Sequence, residues 1–563
     1  MKNVLLIAGV IFNLTNSACS KKTAGGIEVP ANHPPVAALA ATIKSINPFT
    51  VEFKVTASDQ DNDALTYAWD FGEGTTKKGS ATETFTYQEN KAFTIKVAVT
   101  DGKSSAINLS TDINTTITTV TINASQKFQT MEGFGGFGAK DVYWSNGPFT
   151  GAQFVDDLIN DLGLTILRDN IPTNFEITND NSDPNITDLS KFNINNNTTG
   201  HDGKLADHLQ FLKDMKTAGL QKLIVSIWSP APWMKYNNKI SNGTNQNSAP
   251  AYTNAPDANT NQLKTDMYQE FAEMCVAYIK IIKQETGIDV YALSLQNEPR
   301  FSQSYASCVY NGEALRDLIK VVGKRFDDEG INTKIFMPED VGYFDGIKAL
   351  IQPILNDPAA MSYVDIVATH GYAFDGVTAA STDAQTWQAM YNWGAPLGKP
   401  LWMTETSGFE NNMDGAISLG KAMYTAITYG NVSTWVFWSL SQGTLDAYSL
   451  MSSSGAKSKR YYVSKNLYRY VRPGAYRISA TAPDQSGVYP MAFKHDVENS
   501  QTIVLINDST ISRAIKLSGS SLPSQFSMHT TSDTDDCKDY GMINSSDGIL
   551  LPPKSVVTLY KKN

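Results

Sequence analysis

A chain of 563 residues, 41% hydrophobic and 18% charged, with 39 glycines and 23 prolines, has the make-up of ordinary folded protein. It is too long for one core, so about three domains are expected. With 46 Lys and Arg against 56 Asp and Glu the net charge is −10, which leaves no broad positive field and excludes nucleic acid as an expected partner.

Met1-Lys2-Asn3, the apolar run Val4 to Leu14 and the small residues before Cys19 read as an export signal too short to span a bilayer. Ser17-Ala18-Cys19 resembles the junction of bacterial lipoproteins, where a small residue precedes a Cys that is lipidated and becomes the mature N-terminus; Asn16 departs from that pattern. The resemblance implies a signal peptide over residues 1–19 and a lipid on Cys19. It also implies an exported chain held at a bacterial membrane, at the cell surface or in the periplasm; simple cleavage and secretion is the alternative. Membrane contact is expected through that anchor alone, and the chain is expected to be a monomer. Cys275, Cys308 and Cys537 then remain, an odd number scattered too widely for a disulfide framework or a metal site, and isolated buried thiols are expected.

Residues 20–33, with Lys21-Lys22, Gly25-Gly26 and Pro30, are polar and rich in breakers and read as a linker. Over 34–118, short alternating runs such as Thr50-Val-Glu-Phe-Lys-Val55 and Phe93-Thr-Ile-Lys-Val-Ala-Val99 predict a small β-sandwich. Tyr67-Ala-Trp-Asp-Phe-Gly-Glu-Gly74 and Val97-Ala-Val-Thr-Asp-Gly102 resemble a polycystic-kidney-disease (PKD) domain. That family is an immunoglobulin-like sandwich often carried by secreted hydrolases, which implies a passive spacer or a glycan-binding module.

From about Thr130, apolar strand-like runs alternate with amphipathic helices. Thr165-Ile-Leu-Arg168 precedes a helix predicted over 205–218, and Lys222-Leu-Ile-Val-Ser-Ile-Trp228 follows it. The next helix carries Met267, Phe271, Met274, Tyr278 and Ile281 on one face and stops at Gly287. Runs at 291–295, 334–337, 364–369, 400–404 and 433–438 continue the series, and counting Glu132 to Phe137 as the first gives eight strands. Such alternation requires a parallel sheet covered on both faces, so residues 119–471 are predicted to form a closed (β/α)8 TIM barrel. Period-two alternation returns in Thr502-Ile-Val-Leu-Ile-Asn507 and Ser555-Val-Val-Thr-Leu-Tyr560, predicting a second β-sandwich over 472–563. Thr119-Val-Thr-Ile-Asn123 is a strand offered to it from ahead of the barrel.

Active sites of such barrels lie at the C-terminal ends of the strands. Strand four runs into Gln296-Asn297-Glu298-Pro299, and strand seven ends Met403-Thr404-Glu405-Thr406. Hydrolysis of a glycosidic bond with retention needs two carboxyl groups about 5 to 5.5 Å apart, one protonated and one ionised. Glu298 and Glu405 answer that description. The stretches Met131-Glu-Gly-Phe-Gly-Gly136, Ser229-Pro-Ala-Pro-Trp-Met-Lys235, Leu295-Gln-Asn-Glu-Pro299, Trp402-Met-Thr-Glu405 and Tyr470-Val-Arg-Pro-Gly474 resemble glycoside hydrolase family 30, in the clan of retaining (β/α)8 enzymes. The resemblance covers roughly Thr119 to Asn563. It implies Glu298 as acid/base, Glu405 as nucleophile and Asn297 as the partner of the sugar 2-hydroxyl, with no metal and no cofactor.

Other strand ends supply candidate substrate contacts. Arg168, after strand two, is placed to keep Glu405 ionised or else forms a surface ion pair. Trp228 and Trp233 after strand three, Tyr372 after strand six and Trp438 on strand eight are candidate sugar platforms or core. His370 is read as orienting a sugar hydroxyl or as a buried structural residue. Arg460 and Tyr462 have the two-residue spacing with which the glucuronoxylanase branch of the family grips a glucuronate, although Tyr461 stands where that branch has Gly. Glucuronoxylan, another xylan, and a β-1,6-linked glucan or galactan all remain open as the polysaccharide substrate.

Two other signals are rejected. Gly133-Phe-Gly-Gly-Phe-Gly138 has dinucleotide-loop spacing but opens no helix, and Ser454-Gly-Ala-Lys457 lacks the companion motifs of serine acyl-enzymes. His201 and His208, seven apart, make no metalloprotease motif. The rival from another class is a non-catalytic surface lipoprotein that binds glycans.

Overall fold

The structure, a computed structural model, describes residues 32–562 except 47, 75, 139–150, 196–203, 248–250, 343–344 and 373–382. The expected signal peptide, Cys19, nearly all of the linker and His201 lie outside the described residues.

Seven strands between Val36 and Asn114 form two antiparallel sheets. One is ordered Val36–Ile46, Phe49–Ser58, Thr82–Tyr87, the other Lys77–Gly79, Thr66–Asp70, Ala92–Thr100, Ile107–Asn114. Alternation sorts the faces: in Ala92–Thr100 the side chains of Phe93, Ile95, Val97 and Val99 are buried while Thr94 and Lys96 are exposed. Trp69 fills the middle, stacked on Phe71 at 5.7 Å, and its Nε1 donates to Ser80 O at 3.0 Å, so burial strands no donor.

Eight parallel strands then close into a barrel. They are β1 (Gly133–Phe137), β2 (Ile166–Asn170), β3 (Lys222–Ser226), β4 (Val290–Ser294), β5 (Lys334–Asp340), β6 (Val364–His370), β7 (Leu401–Glu405) and β8 (Thr434–Phe437), with β8 paired back to β1. β2 and β7 are buried at every position, which is why neither shows the alternation of a one-sided sheet. Ile166, Ile224, Phe336, Ile366, Trp402 and Val436 fill the lumen. The glycines of β1 answer to close approach: a Cβ on Gly135 would stand 2.3 Å from Ile166 O. Outside the barrel, α1 (Leu205–Ala218) and α2 (Tyr268–Thr286) end at Gly219 and Gly287, both left-handed, the second being the stop the sequence predicts. Cys275, Cys308 and Cys537 are buried free thiols.

The C-terminal strands form one continuous nine-stranded sheet around a core that includes Ile478, Ile503, Leu505, Phe526 and Leu559. The long strand Ile117–Thr130 lies inside it, antiparallel to Tyr476–Thr481 and parallel to Arg513–Ser518. Its buried Val120 and Ile122 alternate with exposed Thr119 and Thr121, the pattern of a one-sided sheet. The barrel's own chain therefore begins at Gly133 rather than at residue 119. Ala514 of this sheet sits in the core of the first β-domain, and Gly548 leaves room for Ile46. Among the described residues no helix is long and apolar enough to cross a membrane.

Candidate active site

Glu298 follows β4 and Glu405 closes β7, each 7% exposed. A carboxylate oxygen of each and a ring nitrogen of His370, at the end of β6, all lie within 4.8 Å of one another. That separation suits a direct attack on a sugar by one carboxylate while the other handles the leaving oxygen. Glu298 stands in the left-handed region at φ +49°, and its N–H donates to Glu339 O at 3.0 Å, while Asn297 N–H donates to Ile227 O at 2.7 Å. The chain is thus tied to β3 and β5 at the point where it turns the Glu298 side chain into the cleft, the kind of local strain that neighbouring structure must hold.

Arg168 ends fully buried at the centre of the site. Its Nη1 donates to Glu405 Oε2 at 2.5 Å and its Nη2 to Asn297 Oδ1 at 2.7 Å, while Nε reaches Glu339 Oε1 at 3.0 Å and Ser226 Oγ at 3.1 Å. Of the two readings made from sequence, the surface ion pair is the one this burial overturns. The rings of Trp228 and Phe137 cover the guanidinium, 4.7 and 5.9 Å from its carbon. Glu339 is absent from the sequence reading, which ended strand five at Met337; β5 continues through Pro338 and Glu339 to Asp340. Asking of this strand what was asked of four and seven would have found it.

Three carboxyls therefore share a buried site with two cations. His370 Nδ1 is 3.0 Å from Glu298 Oε1 and 3.9 Å from Glu405 Oε1, and its Nε2 is 3.8 Å from Glu339 Oε1. Burial alone would lower the imidazole pKa, but the Glu405 charge, the hydrogen bond to Glu298 and the Glu339 carboxylate 3.8 Å from Nε2 outweigh it and push it up to about 10. Burial pushes the Glu298 carboxyl up, with help from the Glu405 and Asp340 charges, and the His370 hydrogen bond does not undo the rise. Burial would raise Glu339 as well, but Arg168 and then His370 bring it below the usual carboxylate range. One carboxyl is thus made easy to protonate while its neighbours are held by cations, the division of labour acid–nucleophile chemistry needs.

Similar proteins point the same way. Residues 32–117 match the model of the PKD domain. The glucuronoxylanase XynC of Bacillus subtilis strain 168 is 28% identical over 399 residues, 69% of this chain and 78% of the relative. The endo-1,6-β-D-glucanase neg1 of Aspergillus fumigatus is 27% identical over 273 residues, 45% of this chain and 52% of the relative. The crystal structure of the glycoside hydrolase family 30 subfamily 8 xylanase Xyn30A from Clostridium acetobutylicum superimposes with a TM-score of 0.61 at 25% identity, covering 79% of this chain and 99% of that one. Over the barrel and the C-terminal sheet the chain is thus similar to glycoside hydrolases, one of them of family 30. It is a retaining glycoside hydrolase with a PKD domain ahead of the barrel.

The remaining sequence candidates of this site divide into two groups. Asn297 gives its amide oxygen to Arg168, which leaves its NH2 as a donor. Tyr372 shares a 2.9 Å hydrogen bond with Ser407 beside His370, and Trp438 packs 4.3 Å from Phe137 and 5.8 Å from Trp228, both indoles half-buried. Trp233 stands apart from this group, its Nε1 donating to Glu176 O at 3.2 Å.

Arg460 does not reach the cleft as expected. It is fully buried at the start of the helix Lys459–Tyr468, with Nη1 donating to Phe409 O and Nη2 to Asp446 O and Ser449 O. Those carbonyls belong to the loops after β7 and β8, so the guanidinium fork is spent on tying two active-site loops together. Tyr462, half-buried, packs edge-on against Tyr461. Sequence reasoning also missed Tyr305, on the loop after β4, which is 46% exposed and within electrostatic reach of both Glu298 and Glu405.

Proposed function

We propose that Glu298 is the acid/base and Glu405 the nucleophile of this hydrolase, and that it cuts a neutral β-linked polysaccharide of the xylan or β-1,6-glucan type within the chain. The observation that carries the roles is the opposed environment of two carboxyls within 4.8 Å: a desolvated Glu298 beside His370, and a Glu405 gripped by Arg168. In the first step Glu405 forms a bond to the anomeric carbon as the glycosidic bond breaks, and Glu298 gives its proton to the departing oxygen. In the second, Glu298 takes a proton from water, whose oxygen displaces Glu405 and restores both groups. The Asn297 amide, steadied by Arg168, donates to the 2-hydroxyl as positive charge builds on the ring. Trp228, Trp438 and Tyr305 offer the faces on which flanking sugars stack.

Two relatives act, by their names, on glucuronoxylan and on β-1,6-glucan. A neutral backbone is favoured here because Arg460, the residue proposed from sequence to grip a glucuronate, is spent on backbone carbonyls. The test is mass analysis of products from a panel of xylans, glucuronoxylan and β-1,6-glycans with the wild type and Glu405→Ala. The variant is expected to lose about three orders of magnitude or more in kcat. Unchanged product release by that variant refutes the mechanism, and products bearing glucuronate at one fixed position refute the neutral-substrate reading.

The export signal and Ser17-Ala18-Cys19 support a second part of the proposal, a monomeric enzyme tethered to a bacterial membrane by lipid on Cys19. Mass measurement of the mature N-terminus decides it: an unmodified chain starting elsewhere rules the anchor out.

A further inference from the structure

The site holds one more ionisable group than a two-glutamate mechanism uses. Glu339 is 0% exposed, and its backbone occupies the left-handed region at φ +57°, a conformation a side chain other than glycine adopts only under constraint. Its Oε1 accepts from Arg168 Nε at 3.0 Å and from Ser226 Oγ at 2.8 Å, stands 2.9 Å from Arg168 Nη2 and 3.8 Å from His370 Nε2. Its carbonyl receives the N–H of Glu298. Glu339 is closed off from solvent, and its side chain meets Arg168, Ser226 and His370, so it acts through those groups.

Counting charges gives this placement a meaning. The groups that face one another here are Arg168 on β2, Glu298 and Tyr305 after β4, Glu339 and Asp340 on β5, His370 and Tyr372 around the end of β6, and Glu405 on β7. Arg300 closes the set by pairing with Asp340. Three cations, Arg168, His370 and Arg300, then meet three anions, Glu339, Asp340 and Glu405, and the sum is zero only if Glu298 carries its proton. Take Glu339 away and the remaining groups carry an excess positive charge in a buried site, which the Glu298–His370 pair relieves by releasing a proton.

Resting on the acid and nucleophile roles proposed above, we infer that Glu339 is a positioning residue: it orients Arg168 toward Glu405 and His370 toward Glu298, and supplies the negative charge that lets Glu298 stay protonated beside two cations. Arg168 hydrogen-bonds Glu339 on one side and Glu405 on the other, and His370, hydrogen-bonded to Glu298 through Nδ1, faces Glu339 with its Nε2 at 3.8 Å, so a single fixed anion stands behind both cations.

The test uses the full chain and Glu339→Gln, which keeps size and one acceptor while removing the charge. The alkaline limb of the kcat/KM pH profile is expected to move down by at least one pH unit, with kcat/KM at pH 7 falling about a hundredfold as Arg168 loses its anchor. A uniform fall in rate with both limbs in place means Glu339 is merely structural, and overturns the inference. Nitrogen-15 NMR of the His370 ring gives a second readout that needs no substrate and, in the wild type, no variant. Both ring nitrogens are expected to stay protonated through pH 8 in the wild type and to titrate at lower pH in Glu339→Gln. A wild-type ring already neutral at pH 7 overturns the inference even if the variant does not fold. Should the wild type cut no β-glycan while its ring titrates as described, the enzymatic reading fails and the charge assignment stands.

Discussion

Replacing Glu176 with Gln is predicted to stabilise the protein, and to do so more at high pH. Glu176 lies on the loop after β2 and is 1% exposed; Glu273, on α2, is 0% exposed. Both oxygens of each carboxyl have no hydrogen-bond partner among the described residues, nor do one oxygen of Glu270 and one of Asp180 beside them. Burial, then the charges of Glu273, Asp180 and Glu270, push Glu176 from its ordinary 4.5 to about 9, and Glu273 rises to about 8 for the same reasons. A folded-state pKa above the unfolded one adds stability that is complete below about 4.5 and is lost as pH rises toward about 9.

At pH 7 the loss for Glu176 is 1.36 times 2.5 pH units, about 3.4 kcal/mol, before local relaxation and its sharing with Glu273 reduce it to about 1–3 kcal/mol. Gln keeps the volume, needs no proton and brings an NH2 donor to face Glu273. Urea unfolding of both proteins across pH 4.5 to 9 should show curves that nearly coincide at pH 4.5 and separate by about 1–3 kcal/mol at pH 7, and further above it. A gap that does not change with pH refutes the argument. So does a destabilised variant paired with a wild type that a chelator weakens, because the cluster would then be neutralised by a cation instead of protons.

Two further changes probe how the site is built. Gly135→Ala puts a Cβ 2.3 Å from Ile166 O in the strand that closes the barrel, where the collision is with backbone and cannot be relieved by a rotamer; thermal unfolding should report a loss of about 2 kcal/mol or more, and a neutral result means β1 and β2 are further apart than described. Arg460→Met leaves the carbonyls of Phe409, Asp446 and Ser449 unpaired, with an expected loss of about 3–5 kcal/mol and a similar fall in activity on every polysaccharide. A fall confined to glucuronate-bearing xylan would show instead that Arg460 reads the substrate.

The barrel was legible because burial on both faces makes each strand an apolar run, and eight such runs with helices between them admit few other folds. The two glutamates were legible for a related reason: a charged residue at the end of an apolar strand has nowhere to go but the mouth of the barrel. Glu339 escaped because Pro338 breaks the apolar run at Met337, and a proline reads as the end of a strand even where the chain continues. Arg460 was misplaced for the opposite reason. Its spacing to Tyr462 is right for a carboxylate clamp, but spacing along a helix does not say which carbonyls the neighbouring loops will present, and three of them claimed the guanidinium first.

The two acidic clusters, a loop apart, show why residue type alone cannot separate a catalytic carboxyl from a costly one. Around Glu298 the charges are matched by Arg168, His370 and Arg300 arriving from other strands, so that one proton's position becomes the variable the chemistry uses. Beside Glu176, Arg325 acts on Glu273 but is itself held by Glu329 at 3.0 Å, and burial raises both carboxyls toward their protonated forms. In the sequence each cluster is a set of ordinary acidic residues scattered along the chain. What differs is the count of opposite charges that the fold brings within reach, and that count exists only once the strands have closed.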